Sequence, residues 1–234
     1  MATYVLVHGA WSGAHNFRKV RPLLAREGHE VFTPSLTGLG ERAHLTSPLV
    51  NLTTHVTDVV NTVRYEDLQQ IVLVGFSYGG CVVTGALAHV EERVRHLVFL
   101  DAFVPADGES VYDLTGQRAP SPLEQINSQW LVPPLAREFD DPEEAAWTLA
   151  RRLPHPVGCF TEPVHLARPL EGYPFTRTYI KATGETRNPP GDAFWEAADR
   201  ANASPAWRYR EIATNHMIPN NRPGELAALL LELA

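Results

Sequence analysis

Apolar, often β-branched runs recur along the chain at residues 4–7, 30–33, 71–75, 96–100, 178–182 and 209–212, and each reads as a strand. Segments with helical character separate them, at 17–26, 53–65, 79–89, 194–201 and 224–233. Strand and helix alternating in this way predict an α/β protein: a mostly parallel sheet of six strands with helices on both faces. In such sheets ligands collect beyond the carboxyl ends of the strands.

One stretch breaks the alternation. Residues 105–174 are rich in proline, as in Val132-Pro133-Pro134, and carry little strand or helix pattern. The chain therefore reads as one domain in three parts: a first core segment at 1–104, an insertion at 105–174 and a second core segment at 175–234. The insertion leaves from the carboxyl end of the strand that finishes at Asp101, which is where a lid over a site belongs. It contains one well-specified helix over 143–152. Asp141 caps it, Pro142 suits its first position, and Glu144 completes the pattern of a capping box. Arg151 and Arg152 suit the negative end of its dipole.

Composition narrows the partners. A net charge of −7 without a basic cluster argues against nucleic acid or an anionic membrane as the main partner. No apolar run reaches spanning length, and the first strand begins at once with no leader pattern, so a soluble cytoplasmic setting is expected. Cys81 and Cys159 give neither a disulfide framework nor metal-ligand spacing, and no metal is expected. The sequence does not determine the oligomeric state.

The chemistry concentrates after the third strand. There the apolar run passes directly into Gly75-Phe76-Ser77-Tyr78-Gly79 and then a helix. Strand, sharp turn and helix around Gly-x-Ser-x-Gly form the nucleophile elbow, which exposes the serine hydroxyl. A serine needs a base to attack at neutral pH. Of ten histidines, His216 is placed for this, in the loop between the last strand and the terminal helix. His8 reads as structural, and His29, His55, His89, His96, His155 and His165 as exposed. An acyl-transfer intermediate also needs preorganised N–H donors for its oxyanion. These are expected from the backbone of Tyr78, just after the serine, and of Ala10, in the loop after the first strand.

Val5-Leu6-Val7-His8-Gly9-Ala10-Trp11, Gly75-Phe76-Ser77-Tyr78-Gly79-Gly80 and Asn215-His216-Met217 together resemble the α/β-hydrolase superfamily. Within it the chain is most similar to the branch of plant methyl-ester esterases, hydroxynitrile lyases and their bacterial relatives. The likeness covers nearly the whole chain and is weakest in the insertion. It implies the α/β-hydrolase fold and a Ser-His-acid triad that works without metal or cofactor. The family's usual acid falls on or near Thr183, which cannot carry the charge. Two carboxylates can replace it. Asp101 ends a strand beside the elbow strand and is favoured, because a strand end fixes a carboxylate better than a Gly/Thr-rich loop. Glu185, in the usual loop, is the alternative. The lyases of this branch carry a lysine where this chain has Met217, which argues against their chemistry.

Trp11, Phe76, Tyr78, Phe103 and Met217 are expected around the substrate, with Trp130, Leu131 or Trp147 supplied by the insertion. Arg42 is expected in a surface salt bridge. The sequence thus points to a carboxylesterase-like serine hydrolase that cleaves a small, largely apolar ester through an acyl-enzyme. Two alternatives remain: lyase-type or C–C bond chemistry on the same triad, and a small-molecule binder on the same fold.

Overall fold

The structure is a computed structural model that describes residues 1–121, 130–187 and 192–234; residues 122–129 of the expected insertion lie outside the described residues. Its strands in chain order are β1 (Thr3–Val7), β2 (Glu30–Phe32), β3 (Ile71–Phe76), β4 (Val94–Leu100), β5 (Leu131–Val132), β6 (His155–Pro156), β7 (Thr176–Ala182) and β8 (Arg208–Ile212). Six of them form one sheet in the order β2-β1-β3-β4-β7-β8, and every neighbouring pair is parallel. The remaining pair, β5 and β6, forms a small antiparallel ribbon inside the insertion.

Alternate residues of the central strands feed two cores. Val5, Val7, Ile71, Leu73, Leu97 and Phe99 face the helices α2 (Leu52–Tyr65) and α3 (Gly79–Val90). Tyr4, Leu6, Val72, Val74, Val98 and Leu100 pack beneath α1 (Arg21–Arg26) and the C-terminal helix Pro223–Leu231. β3 is buried at all six positions, as its uninterrupted apolar run requires of a strand covered on both faces. Each fully buried Leu, Val or Phe contributes about 1.5–3 kcal/mol, so the sheet is a stiff base for whatever its strand ends carry.

The helix in the insertion spans Pro142–Leu149, and Asp141 caps it by accepting from the Glu143 amide at 2.9 Å. Glu144 does not close the expected capping box. Its carboxylate is buried, pairs with Arg18 and with Lys19 (2.8 Å), and accepts from Asn220 Nδ2 at 2.7 Å. Burial with cations from the core offers this carboxylate more than one exposed amide would. Arg151 donates to the Trp147 carbonyl at 2.7 Å, satisfying the end of the same helix. Arg42 pairs with Asp58 at 2.7 Å.

Candidate active site

β3 ends at Phe76 and α3 begins at Gly79, so Ser77 occupies a two-residue turn. Its φ of 56° is a conformation that side chains disfavour, at a cost of about 1–3 kcal/mol. Three bonds hold it there. The Ser77 amide donates to the Leu100 carbonyl at 3.2 Å, and its carbonyl accepts from Gly80 (3.0 Å) and Phe103 (3.2 Å). The turn can close only because Gly75 lacks a side chain: a Cβ there would lie 2.6 Å from the Gly79 carbonyl oxygen.

Two further strand ends converge on the serine. His216, four residues after β8, lies 3.0 Å from Ser77 Oγ through Nε2. Its Nδ1 is 2.6 Å from Asp101 Oδ2, and Asp101 directly follows β4. Asp101 is also strained, with φ 39°, and its amide donates to the Ile180 carbonyl at 2.7 Å. Glu185 is engaged differently: its carboxylate accepts from the His216 backbone N–H at 3.0 Å and so steadies the loop. Thr183, at the family's usual acid position, is tied to the Ile212 carbonyl through its amide.

Sequence reasoning passed over Lys181. This buried lysine donates to Asp101 Oδ1 at 2.7 Å and to the Ala182 carbonyl at 2.7 Å, while the Ala182 amide also donates to Oδ1. A lysine one residue from the end of an apolar core strand was the available signal, since a buried ammonium requires a buried partner. Burial pushes the Asp101 carboxyl up, but the hydrogen bonds and charges of His216 and Lys181 outweigh it and hold it below its ordinary value. His216 lies between the Phe76 and Phe194 rings, stacked at centroid distances of 4.8 and 5.0 Å. This burial holds the imidazole below its ordinary value despite the opposing pull of Asp101. A neutral ring whose Nδ1–H donates to a carboxylate leaves Nε2 as a base facing Ser77.

The loop after β1 brings a second set of groups to the serine. Among the described residues the Ala10 and Tyr78 amides have no hydrogen-bond acceptor, whereas the adjacent Trp11 amide donates to His155 Nδ1 at 3.2 Å. Gly9 permits this closeness: a Cβ there would stand 2.9 Å from Ser77 Cβ. Trp11 is held in a left-handed conformation (φ 60°) by the insertion. Besides the bond to His155, its Nε1 donates to the Val132 carbonyl at 2.9 Å and its carbonyl accepts from Leu153 at 3.2 Å. The Tyr78 ring is fully buried, and its hydroxyl lies 3.0 Å from His55 Nδ1.

His55, His96 and His155 are therefore buried, contrary to the expectation of exposure. Their polar sequence neighbours face elsewhere, while the insertion folds over two of these rings. Burial pushes His55 and His8 down to about 4 and His155 well below its ordinary value, so all three are neutral. His8 accepts from the Leu36 amide at 3.1 Å and holds the loop, as a structural residue would. His55, His155 and Cys159 bring potential ligand atoms within 4.8 Å of one another. Yet His55 Nε2 faces the Thr37 carbonyl at 2.9 Å and so carries its proton, while His155 Nδ1 already accepts from Trp11. A neutral imidazole has one lone-pair nitrogen, and in both rings it is taken, so the trio presents no open set of metal ligands.

Ser77 opens onto two cavities. The larger, about 350 Å³, is lined by Trp11, Tyr78, Phe103, Tyr112, Phe160 and Phe194 among others. The smaller, about 20 Å³, is bounded by Phe76, His216 and Met217 on one side and by polar residues on the other. Of the aromatics expected from the insertion, neither Trp130 nor Trp147 lines either cavity. The Trp130 carbonyl anchors Val157 at 2.7 Å, and Trp147 meets His15 edge to face with the Arg18 and Arg151 guanidinium groups over its ring. The ribbon contributes Val132 instead, whose carbonyl also accepts from Trp11 Nε1.

Residues 4–229 match the alpha/beta hydrolase family. The whole chain is 33% identical to the carbendazim hydrolyzing esterase of Nocardioides sp. (strain SG-4G), covering all of both proteins. It is 26% identical to salicylic acid-binding protein 2 of Nicotiana tabacum, covering 99% of this chain and 96% of that one. Among solved structures it is similar to an extracellular alpha/beta-hydrolase from a Paenibacillus species, with a TM-score of 0.77 at 22% identity over 100% of this chain and 99% of that one.

Proposed function

The chain belongs to the alpha/beta hydrolase family, and from that premise we infer that it is a serine esterase acting on a small, largely apolar ester. Ser77 Oγ attacks the ester carbonyl carbon while His216 Nε2 takes the hydroxyl proton. The amides of Ala10 and Tyr78 receive the oxyanion of the tetrahedral intermediate. Collapse breaks the bond to the alcohol, which leaves with the proton now on His216. Water then attacks the acyl-enzyme, giving its proton to the same nitrogen, and the acid departs with Ser77 restored. Asp101 fixes the tautomer of His216 and stabilises the imidazolium formed in each half-reaction.

The observation that carries this reading is the unbroken chain of contacts Ser77 Oγ–His216 Nε2 (3.0 Å) and His216 Nδ1–Asp101 Oδ2 (2.6 Å), with two unengaged amides beside the serine. The aromatic lining of the larger cavity supports an apolar group on the substrate. The insertion that closes over Trp11 acts as the lid. The lyase alternative has little to support it: Met217 is apolar, and the full-length relative at 33% identity is named an esterase. Two free, buried cysteines support a reducing, cytoplasmic setting. Among the described residues no helix is long and apolar enough to cross a membrane.

The test is hydrolysis of a short-chain p-nitrophenyl ester by the wild type and by Ser77→Ala purified in parallel. The variant should lose about 10⁴-fold or more in kcat. Equal rates in the two proteins would remove Ser77 from the chemistry.

A further inference from the structure

The small cavity beside Ser77 is lined by hydrogen-bond donors, two of which, Asn16 Nδ2 and Arg152 Nε, are buried without a partner among the described residues. Arg137 and Arg152 both face it, as does Asn16. Among the described residues Arg137 donates only to its neighbour Ala136, at 3.5 Å, and forms no ion pair. Arg152 Nε is buried without a partner, and its guanidinium carbon stands 5.7 Å from the Trp11 ring. Asn16 is 2% exposed; its Oδ1 accepts from Ser12 at 3.0 Å, which leaves Nδ2 buried and unpartnered.

The acids nearest in effect form no ion pair with Arg137 among the described residues. Glu185 and Asp101 act on Arg137 through their charge, but Glu185 accepts from the His216 amide and Asp101 from His216 and Lys181. Thr148, also on the cavity wall, gives its hydroxyl to Glu144 at 3.3 Å. In a chain with 27 acidic and 20 basic side chains, two converging arginines without a carboxylate partner among the described residues are not explained by a shortage of acids. Burial, aided by repulsion from Arg137, lowers Arg152 to about 10, which still leaves it charged at neutral pH. Unpaired cations and amides in a partly buried site are costly unless an acceptor completes them. Guanidinium groups match planar oxygen pairs.

We propose that Arg137, Arg152 and Asn16 form a carboxylate subsite beside Ser77, which holds either a carboxylate carried by the ester substrate or the carboxylate of the acid product. This rests on the esterase reading and narrows its substrate class. The cavity of about 20 Å³ admits the oxygens of a small anionic head and not a ring, while the bulk of the ligand lies in the aromatic cavity across Ser77. Arg137 lines both spaces and marks their boundary.

Monomethyl and dimethyl succinate differ in one charge and report on the substrate arm through their ratio of kcat/KM. Benzoate binding to Ser77→Ala, followed by isothermal titration calorimetry, reports on the product arm without turnover. In Arg137→Met/Arg152→Met the anionic-to-neutral ratio, the benzoate affinity, or both should fall about tenfold or more. Arg137→Lys/Arg152→Lys, which keeps the charge, should recover part of the loss, and circular dichroism should show both variants folded. A fall in the ratio alone identifies the substrate carboxylate, and a fall in benzoate affinity alone identifies the product. Both quantities unchanged in a folded double Met variant would overturn the subsite. If the wild type turned over neither ester yet benzoate bound Ser77→Ala with the same arginine dependence, the esterase reading would fall and the subsite would stand.

Discussion

The residues that the sheet delivers to Ser77 and those that the insertion delivers are held in opposite ways. Ser77, Asp101 and His216 each follow a core strand, and their side-chain polar atoms are satisfied within one network that ends on Lys181 and the Ala182 amide. Arg137 and Arg152, from the insertion, line the small cavity beside Ser77, and among the described residues neither has a carboxylate partner, while Arg152 Nε is buried without any. The groups proposed to make and break bonds thus sit at strand ends of the parallel sheet with nothing left to adjust. The arginines proposed to meet the ligand's carboxylate sit on the segment that can vary without disturbing the sheet.

The sharpest way to break this contrast is at the acid. Asp101→Asn should lower kcat about 10³–10⁴-fold, because the asparagine amide favours the wrong tautomer of His216. Glu185→Gln, which keeps an acceptor for the His216 amide, should cost less than about tenfold. Steady-state kinetics on a neutral ester compares the two, and a larger loss in Glu185→Gln would reverse the assignment. The next largest effect tests the insertion's hold on the loop after β1. His155→Phe removes the acceptor of the Trp11 amide, and kcat should fall about 10- to 100-fold as the adjacent Ala10 amide loses its aim. KM for a neutral ester should change little. His155→Gln, whose side-chain oxygen can accept from the same amide, should recover most of kcat, and a parallel rise in KM in both variants would point to simple loosening of the cavity. The smallest effect is in the pH profile. The base must be neutral to act, and burial holds His216 below the ordinary 6.5, so the acid limb of kcat/KM should fall below pH 6.5. A limb at or above 6.5 would mean that Asp101 outweighs burial.

The centre of the sheet was readable because strands covered on both faces are written as apolar runs, as in β1, β3 and β4. The edge strands β2 and β8 are more polar and exposed, yet all six were located to within two residues. The elbow was readable because Gly-x-Ser-x-Gly between such a run and a helix leaves few other structures open. Asp101 stood out as a charge after four apolar residues, Leu97 to Leu100. The insertion was harder to read, for a physical reason. His55 and His155 are buried by segments about a hundred residues away in sequence, and no local pattern records such a cover. Trp130 and Trp147 show the reverse error: large aromatics bury wherever surface is offered, and here the surface lies off the cavities. Lys181 was visible but unread, since its meaning lay in a partner eighty positions away.

Trp11 surrenders its amide, its carbonyl and its indole nitrogen to the insertion. For anyone reshaping the enzyme, residues 105–174 are therefore not an interchangeable module. A graft taken from a relative with another ribbon would uncouple the proposed amide donor at Ala10 even with every strand intact. Swaps that carry the β1 loop and its matching ribbon as one unit keep that donor in register, and the choice of ligand can then be altered at Arg137 and Arg152.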